Sequence, residues 1–525
     1  IKDPKICPLP VPYFTGQQQI LKKMFQYFRK DLGTRHIFVV HGRSGAGKTE
    51  VALKFIQNSQ LKSHFSEIFY VDASCIQTLE TDFKMIAPSV VGDSVNASLR
   101  WLASKHEEWL LFFDNADDGH LSISDFFPPC TFGNILITTR NREFCVHGAA
   151  FELSTMKIKD AQNLLLTLAR EPIHKEEKDF ALAIVKKLHC FALAVAQAGS
   201  YIHAHSTLKE FEPLYQNHHA KLQSHAEIQS QDIYSQAVYI TWDLSYRKLS
   251  PPAKTSLQIF SQIHQEGITE EMFQNASLTG ERLDDSNLQD EVARLLTDLG
   301  KTENGWNCLI FRERIRELQS CSLIKENLGD NSISIHPSVQ HCTDCQDIKT
   351  IKKCVVGIIA LSISFKAAQY IYKYKILPHI NKQTELSIFM QNTMAADNIT
   401  SMLEEQGQLA KVELLQIAIC KRREQVLGKE HPLTLTSKAN LASTYMNQGK
   451  WNDAKTLLTT LLEARQQVLG PKHPDTLISR ESLAVAYSKL GQQEEALNLE
   501  FQVWAARECS LGKNHAATLH SLKNL

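Results

Sequence analysis

The pentapeptide His431-Pro432-Leu433-Thr434-Leu435 returns as His473-Pro474-Asp475-Thr476-Leu477 and, in weaker form, as His515-Ala516-Ala517-Thr518-Leu519, at intervals of 42 residues. Other positions keep the same step: Gly407, Gly449 and Gly491; Leu427, Leu469 and Leu511; Gly428, Gly470 and Gly512; Tyr445 and Tyr487; Ala454 and Ala496. Such a period constrains the fold more than any single motif, because each unit must bury its apolar face against the next. Within a unit, Leu441, Ala442 and Tyr445 share one face of a first helix, and Gly449 ends it. Ala454 lets a second helix pack closely, while Leu457 and Leu461 fill the contact. Gly470 stops that helix, and Pro474 opens the next where its missing N–H costs nothing. The expectation for 396–525 is an α-solenoid of helix hairpins with a concave surface for a protein or peptide ligand. Its last unit is cut short near Leu525.

A chain of 525 residues exceeds one core and should divide into several domains. Residues 1–13 carry Pro4, Pro8, Pro10 and Pro12 and read as an extended linker. Apolar runs at His36–Val40, Ile68–Val71, Trp109–Phe113 and Asn134–Thr138 alternate with helical stretches. That alternation predicts a parallel sheet buried on both faces, over 14–152. Residues 153–239 read as a helical domain with Leu164-Leu165-Leu166 and Ala192–Ala198 as apolar stripes. In 240–345, two short strands flank Gly329-Asp330-Asn331, a turn signal compatible with a winged helix. Residues 346–395 read as connecting helices. The fold class is therefore multidomain: α/β, then helical, winged-helix and solenoid parts.

The first strand runs into Gly42-Arg43-Ser44-Gly45-Ala46-Gly47-Lys48-Thr49, which matches G-x-x-x-x-G-K-[ST] at every fixed position and opens a helix. Main-chain N–H groups of Gly42, Ser44, Gly45, Ala46 and Gly47 should curl round phosphates, helped by the helix N-terminus. Lys48 should pair with the outer phosphate oxygens and Thr49 should ligate Mg²⁺. A buried strand delivers Asp114 where a Mg²⁺-orienting carboxylate belongs, with Asn115 after it. Another ends in Thr138-Thr139-Arg140, whose guanidinium suits either a γ-phosphate or a surface salt bridge.

In this order and spacing the three motifs resemble the NB-ARC family of STAND ATPases, and residues 14–345 are similar to its nucleotide-binding, helical and winged-helix layout. Phe14-Thr15-Gly16 resembles the opening Phe-x-Gly-Arg, with Gln17 in place of arginine. Leu188–Ala194 sits where Gly-Leu-Pro-Leu belongs, with Ala192 in place of the proline near the adenine. His336, in Ile335-His336-Pro337-Ser338-Val339, falls where the winged-helix histidine contacts the diphosphate. The repeats look like the longer tetratricopeptide form, similar to kinesin light chains. The whole resembles fungal NOD-like receptors. The resemblance implies ADP or ATP with Mg²⁺, nucleotide exchange, and homo-oligomerisation on activation, in innate-immune signalling. Asn115 replaces the acidic residue that would polarise water, and an amide cannot accept its proton, so at most a slow ATPase is expected.

Lysine plus arginine equals aspartate plus glutamate, at 57 each. No basic block is present, which argues against nucleic acid as a partner. The most apolar run, Cys354–Phe365, is shorter than the roughly 20 residues that span a bilayer. Irregularly spaced cysteines and the absence of a secretory signal point to a cytoplasmic protein. Cys342 and Cys345 form a lone C-x-x-C, which falls short of a zinc site. The chain opens on Ile1, which suggests an upstream effector domain. Two other classes stay open: a repeat-based adaptor with a decayed nucleotide site, and a nucleotide-gated transcription regulator.

Overall fold

A computed structural model describes the chain apart from residues 1–4, 31–32, 62–63, 89, 93, 171–173, 223–231, 280–282, 284–285, 328, 344–347, 367–369, 383–392, 514 and 525. Pro4, Cys345 and Leu525 therefore lie outside the described residues. The chain divides into two compact units. One comprises Ile1–Thr279, Asp290–Ser362 and Ala368–Gln383; the other comprises Gly280–Gln289, Ile363–Ala367 and Thr384–Leu525.

In the first unit, β1 (His36–His41), β2 (Glu67–Asp72), β3 (Trp109–Asp114), β4 (Asn134–Thr139) and β5 (Ala149–Glu152) form one sheet. Its order is β2-β3-β4-β1-β5, with every pair parallel. The continuous apolar runs follow from burial on both faces. Ile37, Val39, Phe69, Val71, Leu111, Phe113, Ile135 and Ile137 enter one core. The alternate residues Phe38, Val40, Tyr70, Leu110, Phe112 and Leu136 enter the other. β5 is an element that sequence reading missed, because Ala149-Ala150-Phe151-Glu152 is too short for a period to show.

Helices Ile158–Ala169, Lys175–Lys187 and Ala192–His205 pack through Leu164, Leu165, Ala181, Ile184, Ala194 and Ala198 into a further core. Downstream, strands Ile324–Asn327 and Ser332–Ile335 form the antiparallel hairpin, and the helix Pro337–Cys342 follows at once. The proline-rich N-terminal segment, read from the sequence as an extended linker, lies against the first unit. Pro10 is buried, and Val11 N donates to Glu50 Oε2 at 2.7 Å. Prolines keep the strand extended, but its apolar and cationic side chains find partners that only the tertiary fold supplies.

Among the described residues the second unit holds three helix hairpins: Thr393–Glu405 with Leu409–Leu427, Pro432–Asn447 with Trp451–Val468, and Pro474–Lys489 with Gln493–Leu511. The helix Ala516–Asn524 follows. Each His-Pro pair works as a start signal. His431 Nδ1 accepts from Leu433 N and His473 Nδ1 accepts from Asp475 N, both at 3.2 Å, while proline occupies the first helical turn. Leu435, Ala442, Ala454, Leu458, Leu461 and Leu483 fill the core, with Leu457 at its edge.

Candidate functional site

The loop after β1 is built as a phosphate cradle. Gly45 holds φ 65°, and a Cβ there would lie 1.9 Å from the Tyr234 hydroxyl, so only glycine fits. Lys48 opens the helix Lys48–Leu61 and folds back, its Nζ donating to Gly42 O at 3.0 Å and Arg43 O at 2.9 Å. Desolvation lowers its pKa, against the pull of Asp117 and Asp114. The ammonium thus sits at the mouth of the loop, where a phosphate oxygen would replace weaker carbonyl partners.

β4 lies between β1 and β3, and its hydroxyls bridge the gap. Thr49 Oγ1 donates to Asp114 Oδ1 at 2.9 Å, and Thr138 Oγ1 donates to the same oxygen. Asn115 N donates to Thr138 Oγ1 at 3.0 Å. Burial, then Glu266, pushes the fully buried Asp114 carboxyl up to about 7, against the hydrogen bonds from Thr138 and Thr49. A hydroxyl and a carboxylate converging beside the loop are hard oxygen donors of the kind Mg²⁺ takes. The donor set fits that ion, with Thr49 and Asp114 as the residues that would hold it. Bound there, the ion would supply neutralisation of phosphate charge.

A cavity of about 300 Å³ opens from the loop. Ser44, Lys48, Thr49, Asp114, Asn115 and Asp117 line it with polar groups, and Tyr13, Phe14, Met156, Leu164, Ala192 and Leu193 with apolar ones. That mixture suits a phosphorylated ligand with a flat apolar body. Ala192 stands in the first turn of its helix, and Gln17 also reaches the wall. Arg140 does not line the cavity. Its Nε donates to Asp117 Oδ2 at 2.7 Å while the side chain stays half exposed, the salt bridge that the sequence left open.

His336 lines the same cavity from a distant part of the chain. Its Nδ1 accepts from Ser338 N at 3.1 Å, which leaves the ring hydrogen of the neutral imidazole on Nε2. Ser338 Oγ lies 3.3 Å from Ser44 Oγ and 3.2 Å from the Tyr234 hydroxyl, so the turn after the hairpin touches the phosphate loop directly. Burial, then Lys48 and Arg140, pushes His336 down to about 4 from 6.5. The unfolded chain therefore takes up this proton first. The residue's contribution to stability is full above about pH 6.5 and is lost as pH falls toward 4. His336→Asn keeps a capping acceptor without titrating. Urea titrations between pH 7 and 4 should show the wild type losing about 2 kcal/mol more than this variant. Parallel stability curves for the two proteins would refute the assignment. Asp82, pushed up to about 6 mainly by burial, works in the opposite sense in both, so only the difference is diagnostic.

Three partners escaped sequence reading. Glu266 accepts from the Tyr70 hydroxyl at 3.0 Å, and Tyr70 reaches Asp114 Oδ2 at 3.5 Å. Lys325 Nζ pairs with Glu50 Oε1 at 2.7 Å, one residue past Thr49. Lys5 Nζ lies 3.2 Å from Glu266, 3.5 Å from Asp82 and 3.9 Å from Asp72. Desolvation lowers the Lys5 pKa, but attraction to Asp82, Glu266 and Asp72 outweighs it and the net shift is upward. None of these residues belongs to a motif.

A parallel sheet whose first strand feeds Gly42–Thr49 and whose third sets Asp114 beside it defines a P-loop nucleotide-binding fold. Tetratricopeptide-repeat family models match residues 393–433 and 433–503. A "nucleotide-binding leucine-rich repeat (NLR)-like protein" of Hyaloscypha variabilis is 26% identical over 317 residues. The match covers 51% of this chain and 32% of that protein, so the chain spans about a third of the relative's length. Among solved structures, a STAND protein with a tetratricopeptide repeat sensor from Pyrococcus horikoshii is similar over 99% of this chain and 81% of its own, at 11% identity and TM-score 0.42. Putative kinesin light chain repeats from Podosopora anserina match 38% of this chain and 88% of theirs, at 19% identity and TM-score 0.25. The chain thus joins a parallel-sheet P-loop fold to a segment, 393–503, that matches tetratricopeptide repeats. No helix of the described residues is long and apolar enough to cross a membrane.

Proposed function

We propose that the chain is an adenine-nucleotide-dependent signal-transduction switch of NOD-like receptor type. A diphosphate in the Gly42–Thr49 cradle holds the first unit closed, with Lys48 and His336 as its contacts. A protein or peptide ligand on the repeats favours the open form, triphosphate enters, and open chains oligomerise. The reading is carried by one observation: His336, Ser338, Glu266 and Lys325 reach the phosphate loop and its neighbours from far along the chain. Occupancy of the cradle would thereby be felt by residues far outside Gly42–Thr49. Exchange needs only a few kcal/mol of differential affinity between the two states. Asn115 in place of an acidic side chain supports slow turnover or none, so the bound nucleotide acts as a state marker.

Acid extraction of the purified chain, followed by chromatography, should yield ADP close to one per chain. Triphosphate with Mg²⁺, added with the activating ligand, should raise the sedimenting mass. A chain that yields neither ADP nor ATP and takes up neither from solution ends the proposal.

A further inference from the structure

The backbone at the end of β3 explains why an asparagine follows Asp114. Asn115 holds φ 58°, the left-handed region that asparagine enters more readily than most residues. Its N–H is taken by Thr138 Oγ1 at 3.0 Å, and its side-chain amide reaches back to Asp114 Oδ2 at 3.5 Å. The chain then folds against β4. Ala116 N donates to Thr138 O at 2.9 Å, and Asp117 N donates to Asn115 O at 2.7 Å. That tight turn sets the next acidic side chain, Asp117, in the wall of the nucleotide cavity with Lys48, Thr49 and Asp114.

One residue holds the Asp117 carboxylate at both oxygens. Arg140, which follows β4, donates from its N–H to Oδ1 at 2.5 Å and from Nε to Oδ2 at 2.7 Å. An ionised carboxylate oxygen has two lone pairs, so each keeps an acceptor site for a water. The side chain is 21% exposed, within reach of water yet fixed in place. Desolvation lowers the Lys48 pKa, and Asp117 opposes that effect ahead of Asp114, so its charge lies close to the phosphate-binding ammonium. The other carboxylates of the wall have different work. Asp114 Oδ1 accepts from Thr49 and Thr138, Glu50 pairs with Lys325, and Glu266 is engaged by Tyr70 and Lys5. Asp118 does not line the cavity; its Oδ1 accepts from His120 N at 2.9 Å.

We propose that Asp117 is the catalytic carboxylate of a nucleoside triphosphatase, in the part that the Asn115 amide cannot play, with Arg140 as its positioning residue. The inference rests on the nucleotide reading above and assigns the slow turnover that reading allows. A water oxygen bonds to the γ-phosphorus, and the bond from that phosphorus to the β–γ bridging oxygen breaks. The bridging oxygen keeps the electron pair and leaves as part of ADP. Asp117 takes the water's proton and returns it to solvent, so the products are ADP and inorganic phosphate.

The test uses the full chain with γ-labelled ATP and Mg²⁺ under single-turnover conditions. Calorimetry gives ATP affinity, and chromatography identifies the nucleotide that co-purifies. Asp117→Asn, close in shape to the original, should slow hydrolysis ~100-fold or more, the scale of a lost general base. It should leave ATP affinity unchanged and co-purify with ATP where the wild type carries ADP. Arg140→Ala, at a side chain 54% exposed, should also slow hydrolysis at unchanged affinity. Asp118→Asn should match the wild type. Wild-type hydrolysis in Asp117→Asn, or a loss that merely follows a loss of ATP affinity, overturns the assignment. Weakened ATP binding in Arg140→Ala puts the guanidinium on the γ-phosphate and overturns its positioning role. Should Asp117→Asn fail to fold, the split between rate and affinity in Arg140→Ala decides alone. A wild-type chain that binds ATP and hydrolyses none removes this inference and leaves the switch, whereas a chain that takes up no nucleotide ends both.

Discussion

Lys48→Ala is expected to leave a folded chain that no longer carries nucleotide. In the closed cradle the ammonium holds two loop carbonyls, at 3.0 and 2.9 Å, whereas Lys325, the other lysine in the cavity wall, is paired with Glu50. Charge-assisted hydrogen bonds to phosphate contribute about 1.5–3 kcal/mol each, so losing this cation should weaken diphosphate binding ~100-fold or more. The backbone amides remain, and the loop fold rests on glycine conformations rather than on the lysine. Calorimetry of the variant with ADP and Mg²⁺ measures the affinity, and circular dichroism reports the fold. A variant that keeps wild-type affinity would remove Lys48 from the site. So would a loss of affinity that merely tracks unfolding.

Lys5→Met should cost several kcal/mol of stability. Asp72 and Asp114 face one another across β2 and β3, both fully buried, and Asp82 and Glu266 lie close by. Lys5 meets Asp72, Asp82 and Glu266 at once, and His264 Nε2 lies 3.4 Å from Asp72. Removing one partner from a buried charge cluster leaves the others uncompensated, typically at 3–5 kcal/mol. For a unit of this size that corresponds to a fall of about 5 °C in its melting transition. Lys5→Arg, which keeps the charge, should lose far less. Glu266→Gln in the Lys5→Met background should recover part of the loss by removing one of the stranded carboxylates. Because Glu266 also holds Tyr70 beside Asp114, the Lys5→Met chain should release bound nucleotide faster. An unchanged transition would show that water satisfies the cluster without Lys5.

The parts of the molecule that were legible in advance are those whose signal is local or periodic. Four of the five strands announce themselves because a parallel strand buried on both faces must be apolar throughout. The phosphate loop is readable because backbone curvature demands glycine and phosphate demands a cation at set spacing. The hairpins show in a 42-residue period because identical packing repeats identical residues. β5 was silent, being four residues long. The proline content of the N-terminal segment speaks to local conformation and says nothing of where Lys5 or Pro10 docks.

Arg140 and His336 mark the boundary between the two kinds of knowledge. The order of their motifs brought both to notice, yet order cannot tell a guanidinium aimed at phosphate from one held by Asp117. Only the fold sets Arg140 at the rim, tied to that carboxylate, and His336 in the wall with Nδ1 committed to Ser338. By itself the sequence determined the chemistry of the loop, the alternation of strand and helix, and the hairpin period, since each rests on near-neighbour backbone and packing rules. Tertiary structure alone decided that Glu266, Lys325 and Ser338 reach the loop and its neighbours, and that Lys5 meets Asp72, Asp82 and Glu266. Charge and hydrogen-bond complementarity between residues hundreds of positions apart leaves no periodic trace in a single chain.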